Sequence, residues 1–191
     1  MYTLKELKDI VDHCRKCPLH QGRTNVVFGQ GNVCGDLMFI GEAPGYHEDQ
    51  QGFAFVGPAG QLLTKAIEGV GWKREEVYIG NVVKCRPPNN RNPLKEEIKA
   101  CIPYLRWQVK LIRPKIIVCL GSIAATNIID SNLKITQQRG KWSFKKEIWI
   151  MPTYHPSAVL RDEGKKRPFW EDFKEIKRKY EEIRDDVDEN R

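Results

Sequence analysis

Apolar residues along the chain fall into two patterns. Four short runs are almost continuously apolar: residues 37–41, 77–81, 116–121 and 147–153. Runs of that length without polar alternation suit strands buried on both faces, as in a parallel sheet. Between them apolar positions recur at helical spacing over 61–70, 93–112 and 122–129, with a further amphipathic helix near 4–11 and a charged one over 169–183. Asn92-Pro93 offers a helix start with proline at the first helical position. Strands alternating with helices predict an α/β fold, a doubly wound three-layer sandwich. Internal repeats, low-complexity segments and dividing linkers are absent, so residues 1–191 read as one domain, with 185–191 expected to fray.

In open parallel sheets, ligands bind outside the carboxyl ends of the strands. At those ends this chain sets Gly41-Glu42-Ala43-Pro44-Gly45, then Asn81, then Leu120-Gly121-Ser122, then Tyr154-His155-Pro156-Ser157. In the first, two glycines and a proline let backbone amides approach a ligand, although an ordinary strand-to-loop turn would read the same way. The last continues as Ala158-Val159-Leu160-Arg161-Asp162, so one loop carries an imidazole, a rigid turn, an apolar tip and an arginine. A lone histidine is usually a surface or satisfied core residue. One that shares a sheet rim with a Glu-bearing turn is a better candidate for chemistry.

Four of the six cysteines form a second feature: Cys14-x2-Cys17, then Cys85, then Cys101. A Cys-x2-Cys pair presents two thiolates from one tight turn, and a distant pair can complete a set of four. Iron–sulfur clusters and structural zinc both accept four thiolates, so the count leaves the two open. Buried cysteine with nothing bound is the plain alternative. Against it, Pro18 follows Cys17 and Arg86-Pro87-Pro88 follows Cys85, which are loop contexts rather than core runs. Cys119 lies in an apolar run and reads as core, and Cys34 as a free thiol. No apolar run approaches the ~20 residues of a membrane span, and the first residues lack the basic-then-apolar build of a secretory signal. An intracellular, cytoplasmic place away from membranes is therefore expected, where six cysteines favour metal over disulfides. The formal charge of +7 is uneven: residues 171–191 hold nine acids against six bases, which leaves +10 on residues 1–170. A basic body suits a polyanionic partner, nucleic acid above all, though a solvated, charge-rich surface gives the same count.

Taken in order, several segments resemble the family 4 uracil-DNA glycosylases, the thermostable iron–sulfur branch of the uracil-DNA glycosylase superfamily. They are the Cys14-x2-Cys17 opening, Gly41-Glu42-Ala43-Pro44-Gly45, Gly52-Phe53-Ala54-Phe55-Val56-Gly57, Asn81-Val82-Val83-Lys84-Cys85-Arg86-Pro87, the Cys85-to-Cys101 spacing and the His155-Pro156-Ser157 loop. The resemblance spans about residues 8–162. It implies a four-stranded parallel central sheet between helices, a [4Fe–4S] cluster on Cys14, Cys17, Cys85 and Cys101, and removal of uracil from DNA in base excision repair. Uracil-containing DNA, single- or double-stranded, is the implied partner, with replication or repair proteins beyond it. A monomer and an archaeal or bacterial source adapted to heat are implied as well.

Breaking an N-glycosidic bond builds positive charge on the sugar and negative charge on the departing uracil. A catalyst must stabilise the anion, position a water and hold the base out of the helix. On the family pattern His155 donates to uracil O2. Asn81 carries an amide donor and a carbonyl acceptor that match uracil O4 and N3–H and mismatch cytosine; an asparagine satisfying a turn is the alternative. Phe55 would stack on the flipped base, or else is core. Glu48 falls where the family crowds uracil C5 against the methyl of thymine, or else is a solvated acid. Tyr46 and His47, in the same stretch, have no assigned role. Gly41 and Ala43 would bound the pocket with backbone. Family 1 relatives carry Asp where this chain has Ala43, so either Glu42 or backbone near Ala43 holds the water. DNA contacts are expected at the helix starts through Gly60 and Ser122, at Ser157, through a wedge of Val159 and Leu160, and from Arg161 on a phosphate. Lys84, Arg86 and Arg91 could add backbone contacts. Two rivals stand beside this reading: a glycosylase of the same superfamily acting on a broader set of deaminated bases, and a zinc-stabilised nucleic-acid-binding module without catalysis.

Overall fold

The computed structural model describes residues 2–189, with side chains through Asp185. Its strands are β1 (Gln30–Gly31), β2 (Leu37–Gly41), β3 (Tyr78–Asn81), β4 (Ile116–Leu120), β5 (Ser143–Lys145) and β6 (Ile148–Thr153). Its helices are α1 (Leu4–Asp12), α2 (Leu19–Gly22), α3 (Tyr46–Gln51), α4 (Pro58–Gly69), α5 (Lys95–Ile112), α6 (Ser122–Ile128), α7 (Ile135–Gln138), α8 (Pro156–Arg161) and α9 (Lys166–Glu189). The strands make one sheet in the order β1-β3-β2-β4-β6-β5. The four inner strands are parallel, as expected. The sheet is nevertheless six-stranded and mixed, because β1 and β5 pair antiparallel at its edges. At two and three residues, those edge strands are too short to show a pattern in sequence.

Along β2, Leu37 and Phe39 join one core while Met38 and Ile40 join the other, and none exceeds 2% exposure. That double burial is why the strands read as unbroken apolar runs. On one face α1, α5 and α6 pack through Leu7, Val11, Leu105, Ile112 and Ala124. On the other, α4, α8 and α9 pack through Leu63, Ile67, Val159, Phe169 and Phe173. Phe173 stacks on Phe39 with ring centroids 5.6 Å apart. Burying one such side chain contributes roughly 1.5–3 kcal/mol.

Several boundaries differ from expectation. Helix α4 begins at Pro58 with Gly57 as its cap, so the Gly-Pro pair opens the helix instead of preceding it. Helix α5 begins at Lys95 rather than at Pro93. There the Glu97 carboxylate accepts the Leu94 N–H at 2.7 Å and fixes the start. Helix α9 continues to Glu189, past the expected onset of fraying at 185; residues 190–191 lie outside the described residues. Among the described residues no helix is long and apolar enough to cross a membrane.

The parallel register brings the strand ends to one rim. Gly41 pairs with Asn81 across β2 and β3, and Leu120 with Thr153 across β4 and β6. Past the strands the chain stays joined: Val82 and Val83 donate to the carbonyls of Gly41 and Glu42 at 3.0 Å, and Gly121 to that of Thr153 at 2.9 Å.

Candidate active site and cysteine centre

At that rim lies a cleft of about 610 Å³, within the size range of small-molecule sites, whose walls include Glu42, Ala43, Glu48, Phe55, Asn81 and His155. Asn81 is 1% exposed. Its Oδ1 is, among the described residues, the one buried side-chain polar atom without a hydrogen-bond partner. An unsatisfied buried acceptor costs roughly 1–3 kcal/mol, which a ligand N–H would recover. Gly41 keeps the neighbouring space open: a Cβ there would stand 2.6 Å from Asn81 Oδ1 and 2.5 Å from the Phe55 ring. Phe55 holds left-handed backbone, φ 53°, unusual for an aromatic residue. The glycine at 60 permits it, since a Cβ on Gly60 would fall 1.9 Å from the Phe55 carbonyl oxygen.

The carboxylate of Glu48 ties this wall together. Oε1 accepts the N–H groups of Val56 and Gly57 at 2.9 and 2.8 Å, and Oε2 accepts that of Gly45 at 3.2 Å. Helix α3 therefore places Glu48 between the two glycine turns and does not leave it as a solvated acid. Glu42 lines the same cleft, and burial, unopposed by any hydrogen bond or charge, raises its carboxyl above the ordinary range.

His155 caps α8 with its own ring. Its Nδ1 accepts the Ser157 N–H at 3.1 Å and lies 2.8 Å from Ser157 Oγ. A backbone N–H can only donate, so Nδ1 is unprotonated and the proton of the neutral ring sits on Nε2. Burial, and then the charge of Arg161, lower the imidazole from 6.5 to about 4. The ring is thus a neutral donor at physiological pH. A Cβ on Gly121 (φ 89°) would come within 2.9 Å of His155 Cβ, so the turn after β4 must be bare for the histidine to seat. Behind it, Thr153 donates to the buried Asp172 at 2.6 Å, and Asp172 also takes the Arg139 guanidinium, which fastens the end of β6 to α9.

The expected DNA contacts separate into two groups. Leu160 is 50% exposed, Ser122 is exposed on the cleft rim, and Arg161 lines the cleft. Val159, by contrast, is 1% exposed and packs in the core, because the helical turn of α8 aims it inward; it is no wedge. Gly60 is buried under Phe55 and presents no surface to DNA. Ser157 directs its hydroxyl to His155, and Lys84 is buried rather than basic surface. Arg91 is engaged bidentately by Glu97 at 2.7 and 2.9 Å, pinning one cleft wall to α5. Tyr46 gains a place the sequence did not assign: its ring, 52% exposed, stands at the cleft under the Arg86 guanidinium, 5.1 Å from the centroid. The cue was an aromatic directly after a Gly-Pro-Gly-bounded turn.

The other four candidates, Cys14, Cys17, Cys85 and Cys101, line a single cavity between α1 and α5, all as free thiols. Three of the sulfurs have donors aimed at them: Tyr104 Oη to Cys14 at 3.2 Å, Arg23 Nη1 to Cys85 at 3.1 Å, and the Lys84 N–H to Cys101 at 3.3 Å. Donors of this kind suit thiolates. Burial pushes Cys101 up to about 12 and raises Cys17 and Cys85 too, so a metal that took these sulfurs would have to displace their protons. Among the described residues no group of three or more His, Cys, Asp or Glu is arranged to hold a single ion. Four thiols lining one cavity are the donor set that an iron–sulfur cluster takes.

Comparison with known proteins agrees with this class of fold. Residues 28–175 match the family model described as the Uracil DNA glycosylase superfamily. The chain is 49% identical to the type-4 uracil-DNA glycosylase of Sulfurisphaera tokodaii, over 93% of this chain and 84% of the relative. It is 48% identical to that of Thermotoga maritima, over 85% and 88%, and 45% identical to that of Archaeoglobus fulgidus, over 91% and 92%. The chain belongs to the type-4 uracil-DNA glycosylases of that superfamily.

Proposed function

We propose that this chain hydrolyses the N-glycosidic bond of uracil in DNA and leaves an abasic site. The observation that carries the reading is the unpartnered Oδ1 of Asn81, held beside the Phe55 ring over a bare Gly41. An acceptor in that position takes the N3–H of uracil, where cytosine would present a second acceptor; this favours uracil over a broader set of bases. Phe55 stacks on the extruded base. His155 donates from Nε2 to O2 as negative charge gathers there, needing no change of protonation state to do so. Glu42 orients the water, since position 43 is alanine and brings no carboxylate. Glu48, locked by its three amides, bounds the pocket near C5.

On the DNA side, Leu160 enters the stack, Arg161 meets a phosphate, and Ser122 borders the strand. Tyr46 with Arg86 offers a stacking surface for a flanking base, a device that suits single-stranded as well as double-stranded DNA. Cys14, Cys17, Cys85 and Cys101 hold a [4Fe–4S] cluster. When bound, it supplies a cross-link between the N-terminal segment and α5; glycosidic hydrolysis itself transfers no electrons. The same reading puts a monomer inside the cell, working on genomic DNA beside replication or repair proteins.

The test is incubation with an oligonucleotide carrying one uracil, followed by alkali. Strand scission at uracil, with none where thymine or cytosine takes its place, is expected from a brown preparation absorbing at about 400 nm. Intact strands would remove the assignment. Equal excision of other deaminated bases would move the chain to the broader class, and a colourless active protein would remove the cluster.

A further inference from the structure

Lys84 is 1% exposed, and no ion pair among the described residues includes it. Its ammonium donates to the backbone carbonyl of Asn81 at 2.8 Å and to Gln108 Oε1 at 2.6 Å. Its own N–H donates to Cys101 Sγ at 3.3 Å, and its carbonyl accepts the Val27 N–H at 2.8 Å. Gln108 is fully buried on α5, the helix that carries Cys101. It donates in turn to the Phe28 carbonyl at 2.8 Å and to Tyr78 Oη at 2.9 Å. One buried network therefore runs from the cysteine cavity to the strand end that presents Asn81.

A buried ammonium held only by neutral oxygens lacks the compensation that a buried charge requires. The groups beside it that can carry negative charge are Cys101 and Cys85, both in the proposed ligand set. Asn81 is the residue that reads the base, and its peptide carbonyl is the one Lys84 holds. Resting on the uracil reading above, we propose that Lys84 is a positioning residue. Its ammonium, balanced by the cysteine thiolates of the metal centre, clamps the Asn81 peptide and aims the Asn81 amide at uracil. The cysteine centre thereby acts on base recognition without touching the base.

The test uses Lys84→Met, an apolar side chain of similar length, in the iron-loaded protein. Iron content and affinity for uracil-free DNA should match wild type, because the four cysteines and the DNA rim are intact. Single-turnover excision should fall about tenfold or more, and inhibition by free uracil should weaken by about the same factor, as for loss of one charge-assisted hydrogen bond. A lysine that only stabilises the fold would lower Tm and leave inhibition by free uracil at the wild-type level; that result overturns the proposal. If Lys84→Met does not fold, Gln108→Met keeps the charge but removes the other anchor of Nζ. It should show a smaller weakening of the same inhibition, and an unchanged value there overturns the proposal in its place. A wild-type protein that leaves uracil in DNA sinks the functional reading, whereas active wild type with unaltered free-uracil inhibition in the variants sinks this proposal alone.

Discussion

Asn81 and Lys84 sit three residues apart and are each 1% exposed, yet the fold treats them oppositely. Lys84 has its N–H, its carbonyl and its ammonium all bonded, while Asn81 keeps a buried oxygen without a partner. The contrast extends to the regions around them. On the cleft side, Phe55 holds a left-handed backbone and Glu42 is desolvated without compensation. On the cysteine side, donors meet three of the sulfurs, and Gln108 joins the Lys84 ammonium to the Phe28 carbonyl. The unpartnered acceptor and the desolvated carboxyl lie where a ligand can relieve them, and the satisfied region next door holds them in place.

The largest effect expected from breaking this contrast is on the satisfied side. Cys85→Ala should lose iron and the link between the N-terminal segment and α5. If the loss matches that of a covalent cross-link, it costs roughly 2–5 kcal/mol, or about 4–20 °C in Tm for a chain of this length. Iron analysis with thermal melting checks it; full iron and an unchanged melt would take Cys85 out of the ligand set.

On the unsatisfied side, His155→Ala comes next. Removing one donor from a developing oxyanion costs roughly 2.7–4 kcal/mol, a factor of about 10²–10³ in single-turnover rate. DNA affinity should survive, because phosphate contacts dominate it. The same residue makes a pH prediction. Its pKa is lowered to about 4 from 6.5, so between those values an unfolded chain takes up a proton that the native ring refuses. This contribution to stability is complete above 6.5 and is lost as pH falls toward 4. An NMR titration should find the ring neutral, with its proton on Nε2, well below pH 6; a titration at the ordinary histidine value would break the donor assignment.

Asn81→Asp follows. It replaces the amide by a charged acceptor next to uracil O4, at a cost of roughly 1–3 kcal/mol, or about 5–150-fold in uracil excision. Excision at the wild-type rate would refute the recognition role. The contrast is sharpened if free uracil also stops inhibiting, since the lost contact is then to the base and not to the sugar or phosphate.

How much of this was legible in the sequence depends on the range of the interaction. The inner strands were readable because burial on both faces leaves unbroken apolar runs, and β2 matches its expected bounds, Leu37–Gly41. The rim residues Gly41, Asn81 and His155 followed from knowing where such strands end. Helices α3 and α8, six residues each inside Gly- and Pro-marked stretches, are too short to display a period. Val159 and Leu160 could not be told apart without the helical turn that points one inward. Lys84 read as surface because lysine usually is; its signal was the apolar pair Val82-Val83 before it and Cys85 after it. Glu48 holds amides eight and nine residues away, a tertiary fact that no local pattern records.

The smallest expected effect concerns Glu42, and it decides between this side chain and the backbone at Ala43. Burial raises the Glu42 carboxyl, so on acidification its carboxylate is lost at a higher pH than that of an ordinary glutamate, 4.5. If the carboxylate orients the water, excision should decline on the acid side through that raised value, before His155 titrates at about 4. Glu42→Gln keeps the shape of the side chain and removes the charge. It should lower the rate less than His155→Ala does, because the departing uracil carries more of the charge in the transition state than the attacking water. It should also abolish the acid limb above pH 4.5. A single-turnover pH profile of both proteins separates the cases. A Gln variant with a wild-type rate and the same limb would assign the water to the backbone around Ala43, and Glu42 would then be a carboxylate buried at the cleft wall for packing alone.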